Sequence, residues 1–183
     1  MPIPFGQDDT IKIDRAHADL LTGLVQASKP KTILELGIGG GQATDAILNG
    51  LEYNQQPYQY TLVDNWMDFE NVMPPEVQEK YSSRINLITS GEREFVFSCI
   101  AKFDFIMSDA DHHNTQNWFE YVYEELLNDD GILIYHDVTL TNQFPNLLQI
   151  LHRCQEYKLK HKLFNKDSLP TEMCYRGLLV IFK

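Results

Sequence analysis

Residues 32–48 hold the feature that most restricts the fold. The short β-branched and apolar run Thr32–Leu36 opens directly into Gly37-Ile38-Gly39-Gly40-Gly41, and Gln42–Leu48 continues with Ala43, Ala46 and Ile47 at helical spacing. A strand that passes through a glycine turn into a helix is the first half of a crossover between parallel strands, because a strand that must return in the same direction needs a dozen or more residues to do so.

The alternation recurs. Tyr60–Val63, Ile85–Ile88, Phe103–Met107 and Gly131–Tyr135 read as buried strands, with helix-like Pro75–Ser82 and Glu92–Ile100 between them. Ahead of the glycine turn, Asp14 is placed to cap a helix in which Leu20, Leu21, Leu24 and Val25 form one apolar stripe and which Lys29-Pro30 ends. Asn114 is placed to cap another, with Trp118, Val122 and Leu126 at i+4 steps and Phe119 and Tyr123 beside them. A last helix over Pro145–Tyr157 precedes two extended runs, Leu159–Asn165 and Gly177–Phe182, with no convincing helix between them, which predicts a closing antiparallel pair. The expected architecture is a doubly wound α/β fold with a mainly parallel sheet covered on both faces.

Composition bounds the function. A chain of 183 residues, 43% hydrophobic and 22% charged, suits one domain over 1–183 with an ordinary core. Its longest apolar stretch, Gly177–Phe182, falls far short of the ~20 residues that cross a bilayer, and Met1–Asp9 lacks the basic-then-apolar layout of a leader. A cytoplasmic location without membrane attachment is expected. A net charge of −11 repels phosphate backbones, which excludes nucleic acid as the expected partner and favours a small molecule. Cys99, Cys154 and Cys174 form no CxxC pair and read as small buried residues.

In doubly wound sheets ligands bind at the C-terminal strand ends. Those ends carry Glu35 through Gly41, then Asp64-Asn65-Trp66, then Ser90-Gly91-Glu92, then Asp109-Ala110-Asp111-His112-His113, then His136-Asp137. Gly37, Gly39 and Gly41 let the backbone turn sharply and lie against a ligand at a helix N-terminus. The hydride-transfer fingerprint GxGxx[GA] needs a small residue at position 42, which is Gln42. The carboxylate of Glu35 would burden a pyrophosphate and suits a ligand carrying an ammonium and a sulfonium. Asp64 can accept both hydroxyls of a ribose. Asn65 adjoins it, and Trp66 either covers an adenine face or packs on a neighbouring loop. Ser90, Gly91 and Glu92 either set the adenine edge or, for Glu92, place a charge on a helix dipole.

These residues resemble a known family. Ile33-Leu34-Glu35-Leu36-Gly37-Ile38-Gly39-Gly40-Gly41 is similar to the glycine-rich motif of class I S-adenosylmethionine-dependent methyltransferases, with Asp64, Ser90-Gly91-Glu92 and Phe103–Asp111 matching later motifs in order over about residues 30–140. Phe103 to His112 followed by Gly131 to Asp137 resembles the small O-methyltransferases related to the caffeoyl-CoA and catechol enzymes. The resemblance implies a seven-stranded Rossmann-like sheet with an antiparallel last strand, S-adenosylmethionine as cofactor with Asp109 among its contacts, and methyl transfer to a small-molecule hydroxyl.

The resembling enzymes use a divalent cation, held by an Asp matching Asp109 and an Asp-Asn pair matching His136-Asp137, to lower the hydroxyl pKa. The chain departs from that pattern. Asp109, His136 and Asp137 suit Mn²⁺, Fe²⁺ or Zn²⁺ better than Mg²⁺. Two readings stay open: a cation site, or cofactor or substrate positioning by Asp109 without metal, with His136-Asp137 as a hydrogen-bonded strand end. Where the family places a lysine thought to take the acceptor proton, this chain has His112, whose ordinary pKa near ~6.5 suits a general base; His136 is the reserve, and a solvated loop histidine is the plain alternative. His17, His152 and His161 are assigned nothing. Met67, Phe69, Val72 and Met73 either line an acceptor pocket or pack on their own loop. A nicotinamide-dependent oxidoreductase and a non-catalytic cofactor-binding domain are the other functional readings. The acceptor pocket is expected to be open or completed by a second copy in a homodimer.

Overall fold

In the computed structural model, residues 15–141, 143–164 and 176–183 are described, so the expected cap at Asp14, the leader reading of Met1–Asp9, and Asn165 and Cys174 lie outside the described residues. Seven strands form one sheet: β1 Thr32–Leu36, β2 Gln59–Asp64, β3 Asn86–Thr89, β4 Phe103–Ser108, β5 Leu127–Tyr135, β6 Lys160–Phe164 and β7 Leu178–Phe182. Their spatial order is β3-β2-β1-β4-β5-β7-β6. All neighbouring pairs from β3 to β5 are parallel, and β7 runs antiparallel to β5 on one side and β6 on the other. The expected sheet and its closing antiparallel pair are both present.

The strands are apolar on both faces because helices cover both. Ile33, Tyr60, Leu62, Phe105, Met107, Ile132 and Ile134 point into the core shared with α1 (Arg15–Ser28) and α2 (Gln42–Asn54). Leu34, Leu36, Val63, Ile106, Leu133 and Tyr135 point into the opposite core, closed by α4 (Glu92–Ser98), α5 (Phe119–Tyr121) and α6 (Leu148–Glu156). α3 (Pro75–Tyr81) packs Val77 and Tyr81 on the first core. Each fully buried large apolar side chain contributes roughly 1.5–3 kcal/mol.

The segment after Asn114 keeps the expected i+4 burial of Trp118, Val122 and Leu126 but not one helix geometry. It is a 3₁₀ turn at Thr115–Trp118, then α5, then a π turn at Val122–Leu126. Asn114 caps nothing; its amide bonds the Asp111 carboxylate instead. α6 begins at Leu148, three residues later than expected.

α1 lies very close to α2. A Cβ on Gly50 would stand 2.7 Å from Cβ of Val25, so the contact needs glycine there. Thr22 Oγ1 donates to Ala46 O at 2.9 Å and Asn54 Nδ2 to Val25 O at 2.9 Å. This contact fixes where the N-terminal turn of α1 falls. Among the described residues, no helix is long and apolar enough to cross a membrane.

Candidate active site

The loops at the C-terminal ends of β1, β2, β4 and β5 are stitched together by backbone. Gly37 N–H donates to Val63 O at 2.8 Å, Asp109 N–H to Leu36 O at 2.8 Å, and His136 N–H to Ser108 O at 3.2 Å. Gly37, Gly39 and Gly41 all have positive φ, at 87°, 49° and 82°. α2 follows with no side chain capping its first turn.

Asp64 extends the stitching. One carboxylate oxygen accepts Ile38 N–H at 2.9 Å and the other accepts Trp66 N–H. Burial raises its pKa and those two amides pull it partly back. Asn65 is exposed, with its side-chain oxygen accepting Met67 N–H at 2.9 Å. Ser90 and Gly91 are half-buried beside Asp64, whose carbonyl accepts Ser90 N–H at 3.1 Å.

Three residues expected to face a cofactor point elsewhere. Glu35 is 0% exposed on the α1/α2 face of the sheet, where Thr44 Oγ1 donates to it at 3.0 Å and the Tyr60 hydroxyl donates to its other oxygen. Burial outweighs both bonds and pushes the carboxyl up to about 8, so at neutral pH it is a neutral acid and offers no charge to a cation. Trp66 is 0% exposed in the same core, its indole N–H donating to Thr89 Oγ1 at 2.8 Å, and no ring face is free to cover an adenine. Glu92 is buried at the start of α4, where its carboxylate accepts from Thr115 Oγ1 at 2.6 Å, Trp118 Nε1 at 3.0 Å and Asp111 N–H at 2.8 Å. Those bonds tie α4 to the loop after β4 and engage both side-chain oxygens, leaving the adenine edge to the backbone of this segment.

The catalytic candidates do converge. His112 Nε2 is 3.0 Å from Asp109 Oδ1 and 3.5 Å from Asp137 Oδ2. His136 Nδ1 is 3.3 Å from Asp109 Oδ1 and 3.3 Å from Asp137 Oδ1. Burial alone would lower the pKa of His112, but hydrogen bonds and charge from Asp109 and Asp137 lift it to about 10. Without a cation, those two carboxylates favour the imidazolium, the form opposite to the one a general base needs. The same pairing overcomes burial at Asp109 and holds that carboxyl well below the usual range, and it raises His136 despite burial.

Asp137 sits at φ 58°, strained for a residue with a side chain. Its Oδ1 is buried and accepts no well-formed hydrogen bond, while His136 Nδ1 stands 3.3 Å and Arg176 Nε 3.9 Å from it. One ligand atom from each of Asp109, His136 and Asp137 lies within 4.8 Å of the others, and this is the one such group among the described residues. A buried carboxylate oxygen without a hydrogen bond, strained backbone and three converging donors fit a divalent cation.

Sequence reading missed two neighbours. His17, on α1, is buried with its Nδ1 3.2 Å from Nε2 of His136. Phe144 stacks on His112 with ring centroids 4.5 Å apart. Of the loop after β2, Met67 and Val72 are exposed, Met73 is half-buried, and Phe69 belongs to the core. A cavity of about 490 Å³ bounded by Arg93, Phe97, Asp111, Asn114, Asn117 and Trp118 adjoins the loop after β4. A larger one, about 660 Å³, lies along the β2 and β3 edge near Tyr58 and Arg84, away from these groups.

A family model described as a methyltransferase domain matches residues 34–138. No curated protein matches the sequence significantly. Similar solved structures include an O-methyltransferase from Bacillus cereus in complex with S-adenosylhomocysteine (SAH), at TM-score 0.68 and 18% identity over 94% of this chain and 83% of that one. SAH-bound methyltransferase PaMTH1 from Podospora anserina superimposes at TM-score 0.70 and 17% identity, over 97% and 82%. O-methyltransferase TomG from Streptomyces achromogenes, in complex with S-adenosylmethionine (SAM), superimposes at 0.71 and 14%, over 95% and 82%. Likeness at these identities speaks for the fold.

Proposed function

Because this chain belongs to the methyltransferase-domain family, we propose that it is a class I SAM-dependent enzyme that transfers the methyl group to a hydroxyl oxygen of a small molecule. The observation that carries the acceptor chemistry is the Asp109, His112, His136 and Asp137 cluster, which stands at the strand ends against the glycine turn. Gly37, Gly39, Gly41, Asp64, Asn65, Ser90, Gly91 and Asp109 are the residues assigned to the donor. With Glu35 neutral, the negative charge that suits a sulfonium falls to Asp109 and Asp64.

Methyl transfer from a sulfonium is an in-line displacement, so the protein has to align the acceptor and deal with its proton. Asp109, His136 and Asp137 are the residues that would hold a divalent cation. Such a cation lowers the pKa of a hydroxyl bound to it. An Asp, His, Asp donor set favours Mn²⁺, Fe²⁺ or Zn²⁺. His112, held by Asp109 and Asp137, which His136 Nδ1 also approaches, would become a proton acceptor only where a divalent cation draws on those carboxylates. Until then it is a hydrogen-bond donor held in place by Phe144.

Calorimetry with SAH tests the donor: tight binding is expected, and a chain that binds neither SAH nor SAM overturns the reading. Transfer of labelled methyl from SAM to members of a panel of small phenols and alcohols tests the acceptor. Label appearing only on amines or thiols would overturn hydroxyl specificity.

A further inference from the structure

The two ring nitrogens of His136 face different partners. Nδ1 looks at Asp109 and Asp137, 3.3 Å from each. Nε2 looks away from them, 3.2 Å from Nδ1 of His17, and the two rings meet edge to face at 88° with centroids 5.3 Å apart. Both rings are buried. A hydrogen bond between two imidazole nitrogens needs one N–H and one lone pair, so the tautomer of one ring dictates that of the other.

We propose that His17 is a positioning residue for His136: its Nδ1 accepts the Nε2–H of His136, which holds the ring with Nδ1 toward Asp109 and Asp137, where a divalent cation would take the place of the proton that Nδ1 otherwise shares with those carboxylates. This rests on the cation reading above. A histidine ligand has to lose the proton from its coordinating nitrogen and keep the one on the other, and the outer partner of that second N–H sets ring orientation and tautomer. The usual outer partner is a carboxylate or a carbonyl. Here a neutral imidazole takes that place, so Asp109 and Asp137 remain the only carboxylates in the three-residue cluster and balance a divalent charge without a third.

His17 reaches the cluster from the other end of the sequence because α1 is locked to α2. Gly50 allows the helices to touch at Val25, two turns beyond His17 on the same buried stripe as Leu21. The ring position is thus set by the packing of α1 rather than by a loop.

Mn²⁺ affinity, measured by calorimetry on the SAH-bound protein, tests the assignment. His17→Phe keeps an aromatic ring but removes the acceptor, and Mn²⁺ affinity should fall roughly 10- to 100-fold. His17→Asn puts an amide oxygen close to the position of Nδ1 and should regain most of that loss. SAH affinity should equal wild type in both. A His17→Phe protein that binds Mn²⁺ like wild type overturns the proposal, as does a His17→Asn protein as weak as His17→Phe. Should His17→Phe not fold, ¹⁵N NMR of the Zn²⁺-loaded wild type decides: protonated Nε2 on His136 is expected, and protonated Nδ1 overturns it. Wild type that binds SAH but no Mn²⁺ removes this role of His17 and leaves the methyltransferase reading standing.

Discussion

A Cβ placed on Gly37 would stand 2.5 Å from the carbonyl oxygen of Asp109 and 3.0 Å from Cα of Ala110, so the turn after β1 touches the loop after β4 backbone to backbone. The clash is with main chain, which cannot swing aside, and φ 87° disfavours any side chain besides. Gly37→Ala should push Asp109 out of place, lower stability by more than about 1 kcal/mol and weaken SAH binding at least ~10-fold. Urea unfolding and SAH calorimetry check both. A stable variant with wild-type SAH affinity would show that the contact is dispensable.

The buried acid Glu35 gives stability a pH slope of known sign. Between its ordinary 4.5 and about 8 the folded chain holds the proton and the unfolded chain does not, so folding takes up a proton. The contribution is whole below pH 4.5 and is lost as pH rises through about 8, at no more than ~1.4 kcal/mol per pH unit. Glu35→Gln should flatten the decline of urea-unfolding free energy from pH 5 to pH 8. An unchanged slope would mean that the carboxyl ionises normally.

Trp66 serves packing. Trp66→Phe removes the N–H bond to Thr89 and part of a filled volume, and should cost about 1–3 kcal/mol of stability. SAH affinity should stay within about twofold of wild type, since the ring offers no exposed face. A large loss of SAH affinity with little loss of stability would return Trp66 to the cofactor.

Removal of the cation separates chemistry from donor binding. In EDTA, turnover should vanish while SAH affinity holds, and Mn²⁺ should restore turnover. In the cation-free protein, NMR should show His112 titrating far above 6.5, and Asp137→Asn should bring it down by removing one of the two carboxylates that hold its proton. Full turnover in EDTA would leave Asp109, His136 and Asp137 as positioning groups.

The strands, their order of appearance and the antiparallel closure were legible because apolar runs at crossover spacing admit few other sheets. The convergence of Asp109, His112, His136 and Asp137 was legible for a related reason: all four follow strands, and parallel strands end on one side. What failed was the direction of single side chains. Glu35 alternates with Leu34 and Leu36, and with both sheet faces buried the period of two does not say which core receives the carboxyl. Trp66 itself sits at φ 59°, two residues past β2, with its ring in the core. His17 is on a helix whose sequence shows only an apolar stripe; the partner 119 residues away comes from how α1 sits on α2.

β7 enters the sheet between β5 and β6, pairing Leu179 with Tyr135, the residue just before His136. The strand that presents His136 and Asp137 therefore has a bare flank until residues 178–182 have left the ribosome. The donor-binding half can form early in translation, whereas the acceptor half waits for β7 to be made. A nascent chain stopped before β7 would offer an open strand edge to its neighbours, an aggregation hazard with no methyl transfer to show for it.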